Sequence, residues 1–257
     1  MVSNQPRREH PFLENAPLKS VICQMRFPRI LGLSDEKVRP LQVALTDTYA
    51  NVQLEDAQEI QIGPDGLRTA GSDRIYRFRT QDEDWIVSLT SSFVAVETTA
   101  YKGFRDFFGR WERIVSLSVK HFELSHQDRL GLRFINEIEL PRDGLDAIAE
   151  VVRPELLGIA GKHERTRSLI RSLQEMRLRQ PDGAFTLRHG YTAQDHPLYL
   201  LDFDYYDDSP KALDLDEQKK TLINFDHATF DLFKWLVTAE AFASFKPVER
   251  ADAESPR

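Results

Sequence analysis

Apolar residues recur along this chain in two rhythms, every second position and every third or fourth, and the rhythms alternate in blocks. Leu18–Phe27 places Val21, Cys23 and Met25 on one face and Ser20, Gln24 and Arg26 on the other, which predicts a strand that Pro28 ends. Val38, Leu41, Leu45 and Tyr49 then follow helical spacing behind Ser34, a capping residue, with Asp35 and Glu36 suited to the positive end of the dipole. Pro40 falls within the first turns, where it is tolerated. Four strands are predicted next: Glu59–Ile62, stopping at the turn Gly63-Pro64-Asp65-Gly66, then Arg74–Arg79, Trp85–Thr90 and Phe93–Thr99. The last two form a hairpin through Ser91-Ser92. A helix from Lys102 to His121 closes the block. Its broad face of Phe104, Phe107, Phe108, Trp111, Val115 and Val119 is that of a helix laid on its own sheet, with Arg105, Arg110 and Glu112 pointing elsewhere.

The pattern then restarts. Asp128–Leu140 alternates as a long strand, with Arg133 on the face opposite Leu132 and Phe134, beside Gly131 and Ile135. A short helix over Leu145–Val152 and a helical turn from Pro154 follow. Residues 165–179 fit both periods, since Leu169, Leu173 and Met176 have helical spacing. The turn Pro181-Asp182-Gly183, joining this stretch to a strand Ala184–Tyr191 of similar length, favours a strand. Leu198–Tyr206 places Leu198, Leu200, Asp202 and Asp204 on one face. A closing helix over Thr221–Phe245 has Leu222, Phe225, Thr229, Leu232, Trp235 and Leu236 on one side, joined by Phe230, Phe233 and Val237.

The expected fold class is therefore α+β, in two similar β-α-β-rich halves over residues 15–125 and 126–245, each an antiparallel sheet gripping a long helix. A flexible arm (1–14) and a flexible tail (246–257) flank them. The closing helices share a motif, Phe104, Phe107, Phe108 and Trp111 against Phe230, Phe233 and Trp235. The order of elements resembles TATA-binding-protein-like folds, in which two halves join edge to edge; such a likeness of topology carries no function.

Several phrases resemble a sporadically distributed bacterial family of uncharacterised proteins of about this length. They are Asn15-Ala16-Pro17-Leu18 with Gln24-Met25-Arg26-Phe27, Phe93 to Tyr101 with Phe104, and Arg129-Leu130-Gly131-Leu132-Arg133-Phe134-Ile135-Asn136. Leu187-Arg188-His189-Gly190 and Leu201-Asp202-Phe203-Asp204 echo it further. The resemblance implies no activity. The family's patchy distribution is like that of accessory genes such as defence or toxin–antitoxin islands.

Composition narrows the function classes. The 257 residues are 41% hydrophobic and 29% charged, ordinary for a globular protein with a sizeable core. No apolar run approaches the roughly 20 residues of a membrane span, and Met1–Glu14 has no apolar leader. The single cysteine, Cys23, provides no disulfide framework, which fits a cytoplasmic location, and its place on an apolar strand face reads as core rather than nucleophile. A net charge of −7 argues against general binding to nucleic acid or anionic membrane. The basic stretch Lys162–His189 lacks interleaved aromatics for base stacking up to residue 184 and suits docking to a charged partner or self-association.

Three functional readings follow. The first is a non-catalytic binding or assembly protein that meets a protein partner through its sheet surface. The second is a metal-dependent or acid–base enzyme. Asp202 and Asp204, two apart on a strand, would hold carboxylates roughly 7 Å apart, and His227 could join them; the alternative is a solvated strand face running into the acidic turn Asp207-Asp208. The third is an anion or nucleotide sensor, in which Arg26, Arg133 and Arg188, with Glu97, line one sheet face as ligand-binding residues. The alternative there is a structural ion pair, for which Glu97, a lone charge on an apolar strand, is the natural partner of an arginine. The seven histidines show no metal-ligand spacing, and no motif calls for a cofactor.

Overall fold

The computed structural model describes residues 10–63, 66–142, 144–160, 168–193 and 196–248. In chain order the elements are β1 (Phe12–Leu13), β2 (Leu18–Arg26), α1 (Asp35–Leu45), β3 (Asn51–Gly63), β4 (Gly66–Arg79), β5 (Trp85–Leu89), β6 (Phe93–Thr98) and α2 (Phe104–Phe122). Then come β7 (His126–Gln127), β8 (Arg129–Glu139), α3 (Leu145–Val151), a 3₁₀ turn (Pro154–Leu157), β9 (Arg171–Gln180), β10 (Gly183–Thr192) and β11 (Leu198–Asp207). The chain closes with β12 (Lys211–Ala212), α4 (Leu215–Leu236), α5 (Ala239–Ser244) and β13 (Pro247–Val248). The class is mixed α+β, and residues 171–180 are a strand.

Nine strands make one sheet in the order β3-β4-β5-β6-β2-β8-β11-β10-β9, every neighbouring pair antiparallel. The strands β2 and β8, which open the two runs, lie side by side in the middle. Each also pairs with the last strand of its own run, β6 or β11, and the rest meander outward to the edges β3 and β9.

The strand alternation decides where the core lies. Val21, Cys23, Met25, Val94, Val96, Leu130, Leu132, Leu201 and Phe203 all point to one side and are at most 1% exposed. The long helices lie on that side. α2 presents Phe107, Trp111, Ile114 and Val115, and α4 presents Leu222, Phe225 and Phe233. Phe225 sits edge-on to Tyr205 at 4.2 Å, and Phe107 packs on Trp85 at 5.8 Å. Burial of each such side chain contributes roughly 1.5–3 kcal/mol. The shorter helices are on the same side. The Tyr76 hydroxyl donates to Asp35 of α1 (2.8 Å), and the Gly144 N–H before α3 donates to the Tyr191 hydroxyl (3.4 Å).

Local signals set the helix ends. Ser34 Oγ accepts from the Lys37 N–H, as its position predicts. Asp214 Oδ1 accepts from the N–H groups of Asp216 and Glu217 at 2.9 and 3.0 Å, so α4 starts at Leu215 rather than at the expected Thr221. The closing helix is also not continuous to Phe245. Val237 is extended and bridges Val152, and Thr238 recaps the chain by accepting from the Ala241 N–H.

Two further expectations are corrected. The strand predicted at Glu59–Ile62 begins at Asn51, because backbone pairing with β4 carries it through the polar run Glu55–Glu59. Trp235 is 50% exposed, under the guanidinium of Arg153, whereas Trp111 is buried. Trp111 follows Phe107 by four residues and shares its face. Trp235 follows Phe233 by two and lies about 200° round the helix, so the shared motif does not extend to the tryptophans.

Of the expected arm and tail, residues 1–9 and 249–257 lie outside the described residues. The parts described meet each other: Phe12 and Leu13 pair with Val248 and Pro247, and the N–H groups of Glu14 and Asn15 donate to the carbonyls of Lys246 and Phe245. No helix among the described residues is long and apolar enough to cross a membrane.

Candidate functional site

With the helices on one side, the opposite face of the sheet is left to the other half of each strand's side chains. In the second run these include a group of arginines and carboxylates, and the register explains how they meet. Arg133 on β8 stands opposite Asp204 on β11, and Ile135 stands opposite Asp202. Arg133 nevertheless reaches one pair along, donating from Nε to Asp202 Oδ1 and from Nη2 to Oδ2, both at 2.7 Å. This fork suits the planar carboxylate and pushes the Arg133 pKa further up, chiefly through the hydrogen bond.

Asp204 is gripped instead by Arg129, whose Nη2 lies 3.1 Å from both carboxylate oxygens. To get there the Arg129 side chain lies across Gly131. A Cβ on that residue would stand 2.6 Å from Arg129 Nη1, so the missing side chain is what opens the path. The guanidinium also stacks over the Tyr206 ring at 4.4 Å.

On the outer side, Arg188 of β10 stands opposite both Asp202 and Glu175. Its Nε donates to Glu175 Oε2 at 2.6 Å, and its Nη1 lies 3.6 Å from Asp202 Oδ2. Asp202, 2% exposed, is thus enclosed between two guanidinium groups. The cluster of Arg129, Arg133 and Arg188 with Asp202, Asp204 and Glu175 balances three positive charges against three negative ones.

The other predicted site residues fall as follows. Arg26 is on the same face at the end of β2, exposed, with its Nε donating to Gln24 Oε1 at 3.2 Å. Glu97 shares the face too, but among the described residues it forms no ion pair. Ile22 stands between Glu97 and Arg133 in the cross-strand row, and Arg133 is committed to Asp202, so the expected pairing of Glu97 with an arginine is replaced by a longer-range attraction. The face therefore brings together Asp202, Asp204, Arg133 and Arg188 and leaves Arg26 and Glu97 outside the cluster.

His227 is not brought to the two aspartates at all. It lies on α4, across the sheet from them, with its ring 4.4 Å from that of His10. Among the described residues no group of three or more His, Cys, Asp or Glu side chains is arranged to hold a metal ion. Cys23 is fully buried in the core, and burial pushes its thiol well up.

Sequence reasoning missed Arg129 and Glu175. Arg129 was recognisable only by its place on the same strand parity as Arg133, and its role depends on the gap at Gly131. No protein-family model and no curated protein matches this chain.

Proposed function

We propose that this protein is a non-catalytic binding or assembly protein that meets a protein partner through the uncovered face of its nine-stranded sheet. One observation carries the reading: the helices stand on one side, and no helix among the described residues covers the other, where charged side chains alternate with Ile22, Ile86, Phe93 and Ile135. A face of both charge signs interleaved with apolar positions suits a protein surface, where electrostatic complementarity sets register and partner choice. The guanidinium groups that engage Asp202 and Asp204 favour this reading over metal or acid–base chemistry, which needs those carboxylates available. The pairing of Arg133 and Arg188 with carboxylates likewise favours it over an anion sensor. We read the protein as cytoplasmic and, on its resemblance to the sporadic bacterial family, as part of an accessory or defence system.

The finer reading of the fold goes with this. The strand order supports two related halves joined at β2 and β8, a TATA-binding-protein-like topology, with α2 and α4 as the closing helices. In such a duplication the uncovered face is continuous across both halves.

The test uses Arg26 and Glu97, on this face but outside the ion-pair cluster, so that reversing them leaves the fold intact. Protein captured from the native host by the wild-type chain should be lost with Arg26→Glu/Glu97→Lys. It should be retained with Trp235→Glu, a change on the helix side. Loss with Trp235→Glu and retention with the double variant would overturn the assignment.

A further inference from the structure

The helix side holds a second feature that the sheet-face reading does not use. Between α2, α4 and the segment His10–Leu13 is a cavity of about 560 Å³, within the range typical of small-molecule sites. Its walls are largely aromatic, formed by Tyr101, Phe104, Phe108, Phe134, Phe203 and Phe230. The pairing of β1 with β13 holds the chain beside His10 in place as one wall.

Arg105 and Glu112 of α2, Asn136 of β8 and Lys219 of α4 also line it, and a further group of polar side chains stands together near the middle of α4. Asp226, His227 and Thr229 line the cavity with His10, whose Nε2 lies 3.5 Å from Asp226 Oδ2 and whose ring stacks on Phe230 at 4.1 Å. Thr229 is 3% exposed, and its Oγ1 is buried without a hydrogen-bond partner. A buried hydroxyl left unpaired costs about 1–3 kcal/mol, so it is a group that a ligand atom would satisfy.

Gly109 sits within the 19-residue helix α2, where glycine is unfavourable by roughly 1 kcal/mol relative to alanine. A Cβ built there would meet nothing within 4 Å. Gly109 is exposed and lines the cavity, so a larger side chain has room to extend beside it.

We propose that this cavity is a binding site for a small, flat aromatic molecule carrying a hydroxyl or amine head, the ring held among the phenylalanines and the head placed at Thr229 and Asp226. Beside Thr229 the Asp226 carboxylate disfavours an anionic head, while Lys219 stands two turns away on α4 and Arg105 on α2. The site is independent of the sheet face and stands or falls separately from it.

Three probes with one ring system and different heads test this by calorimetry on the full chain: 2-naphthol, 2-naphthylmethylamine and 2-naphthoate. The first two should bind saturably at one site and compete with each other, and the naphthoate should bind about tenfold more weakly or less. Thr229→Val, which keeps the side-chain shape, should weaken 2-naphthol about tenfold. Gly109→Leu, which adds bulk at the cavity lining, should abolish binding of both probes, with thermal melting reporting that the chain stays folded. The cavity assignment is overturned if neither 2-naphthol nor the amine saturates, or if binding survives both substitutions unchanged. Tightest binding of the naphthoate would overturn the assignment of the head.

Discussion

Arg133 holds Asp202 through both arms of its guanidinium at 2.7 Å, although the residue facing it across the strands is Asp204. The displacement is repeated by Arg129, which passes over Gly131 to take Asp204. Arg133 thereby reaches one same-face pair along and Arg129, beyond the Gly131–Tyr206 pair, reaches two, while Asp202 faces Arg188 as well.

Asp202→Asn should destabilise the fold by about 2–3 kcal/mol, because it removes one partner of a mostly buried pair and leaves two guanidinium groups short of an acceptor. The figure sits below the usual range for buried pairs because the Arg133 side chain is 38% exposed. The comparison is Asp208→Asn. Its pair with Arg177 is about 60% exposed on both sides, and the change should cost no more than about 0.5 kcal/mol. Urea unfolding of the two variants measures the contrast.

His189 makes stability depend on pH. It is 2% exposed, its Nδ1 is 2.8 Å from the Tyr199 hydroxyl, and burial pushes its pKa below the ordinary value of 6.5. The unfolded chain then binds the proton more readily than the folded one. The contribution is fully present above about pH 6.5 and is lost as pH falls toward the folded-state pKa. The slope for one proton is at most about 1.4 kcal/mol per pH unit. Between pH 7.5 and 5.5 the urea midpoint of the wild type should fall more steeply than that of His189→Gln.

Gly190→Ala should detach the sheet edge. A Cβ at Gly190 would lie 1.9 Å from the Ser172 carbonyl oxygen, backbone that cannot yield as a side chain would. The strand β9 has a neighbour on one side only, so the strain is relieved by moving it away. The expected cost is about 2–3 kcal/mol, with faster amide hydrogen exchange over Arg171–Gln180 and little change in β2 and β8.

How much of this was legible depended on how local the cause was. Ser34 capped α1 where its sequence position predicts, since a cap and its N–H are three residues apart. β9 was recognisable through its turn, although Leu169, Leu173 and Met176 have helical spacing. The whole of β3 was not recognisable, because the run Glu55–Glu59 has no apolar rhythm and joins the strand only through its backbone partners on β4. At the candidate site, alternation placed Asp202 and Asp204 on one face of their strand and Arg133 opposite Leu132 and Phe134, but that these residues and Arg188 share one face of the sheet follows only from the strand pairing. Which carboxylate each arginine takes was not recoverable, since it turns on a diagonal reach and on the space over Gly131.

Periodicity along the chain was enough for the α+β class, the existence of the two long helices and the side-chain parity of β2, β8 and β11, all of which follow from the side-chain periods of helix and strand. Only the tertiary structure decided that β2 and β8 meet in the middle and that His227 and Asp202 lie on opposite sides of the sheet. The same holds for Phe12–Leu13, which joins Pro247–Val248 beside an aromatic cavity. Those outcomes rest on pairings between residues tens to hundreds of positions apart, and local periodicity carries no record of them.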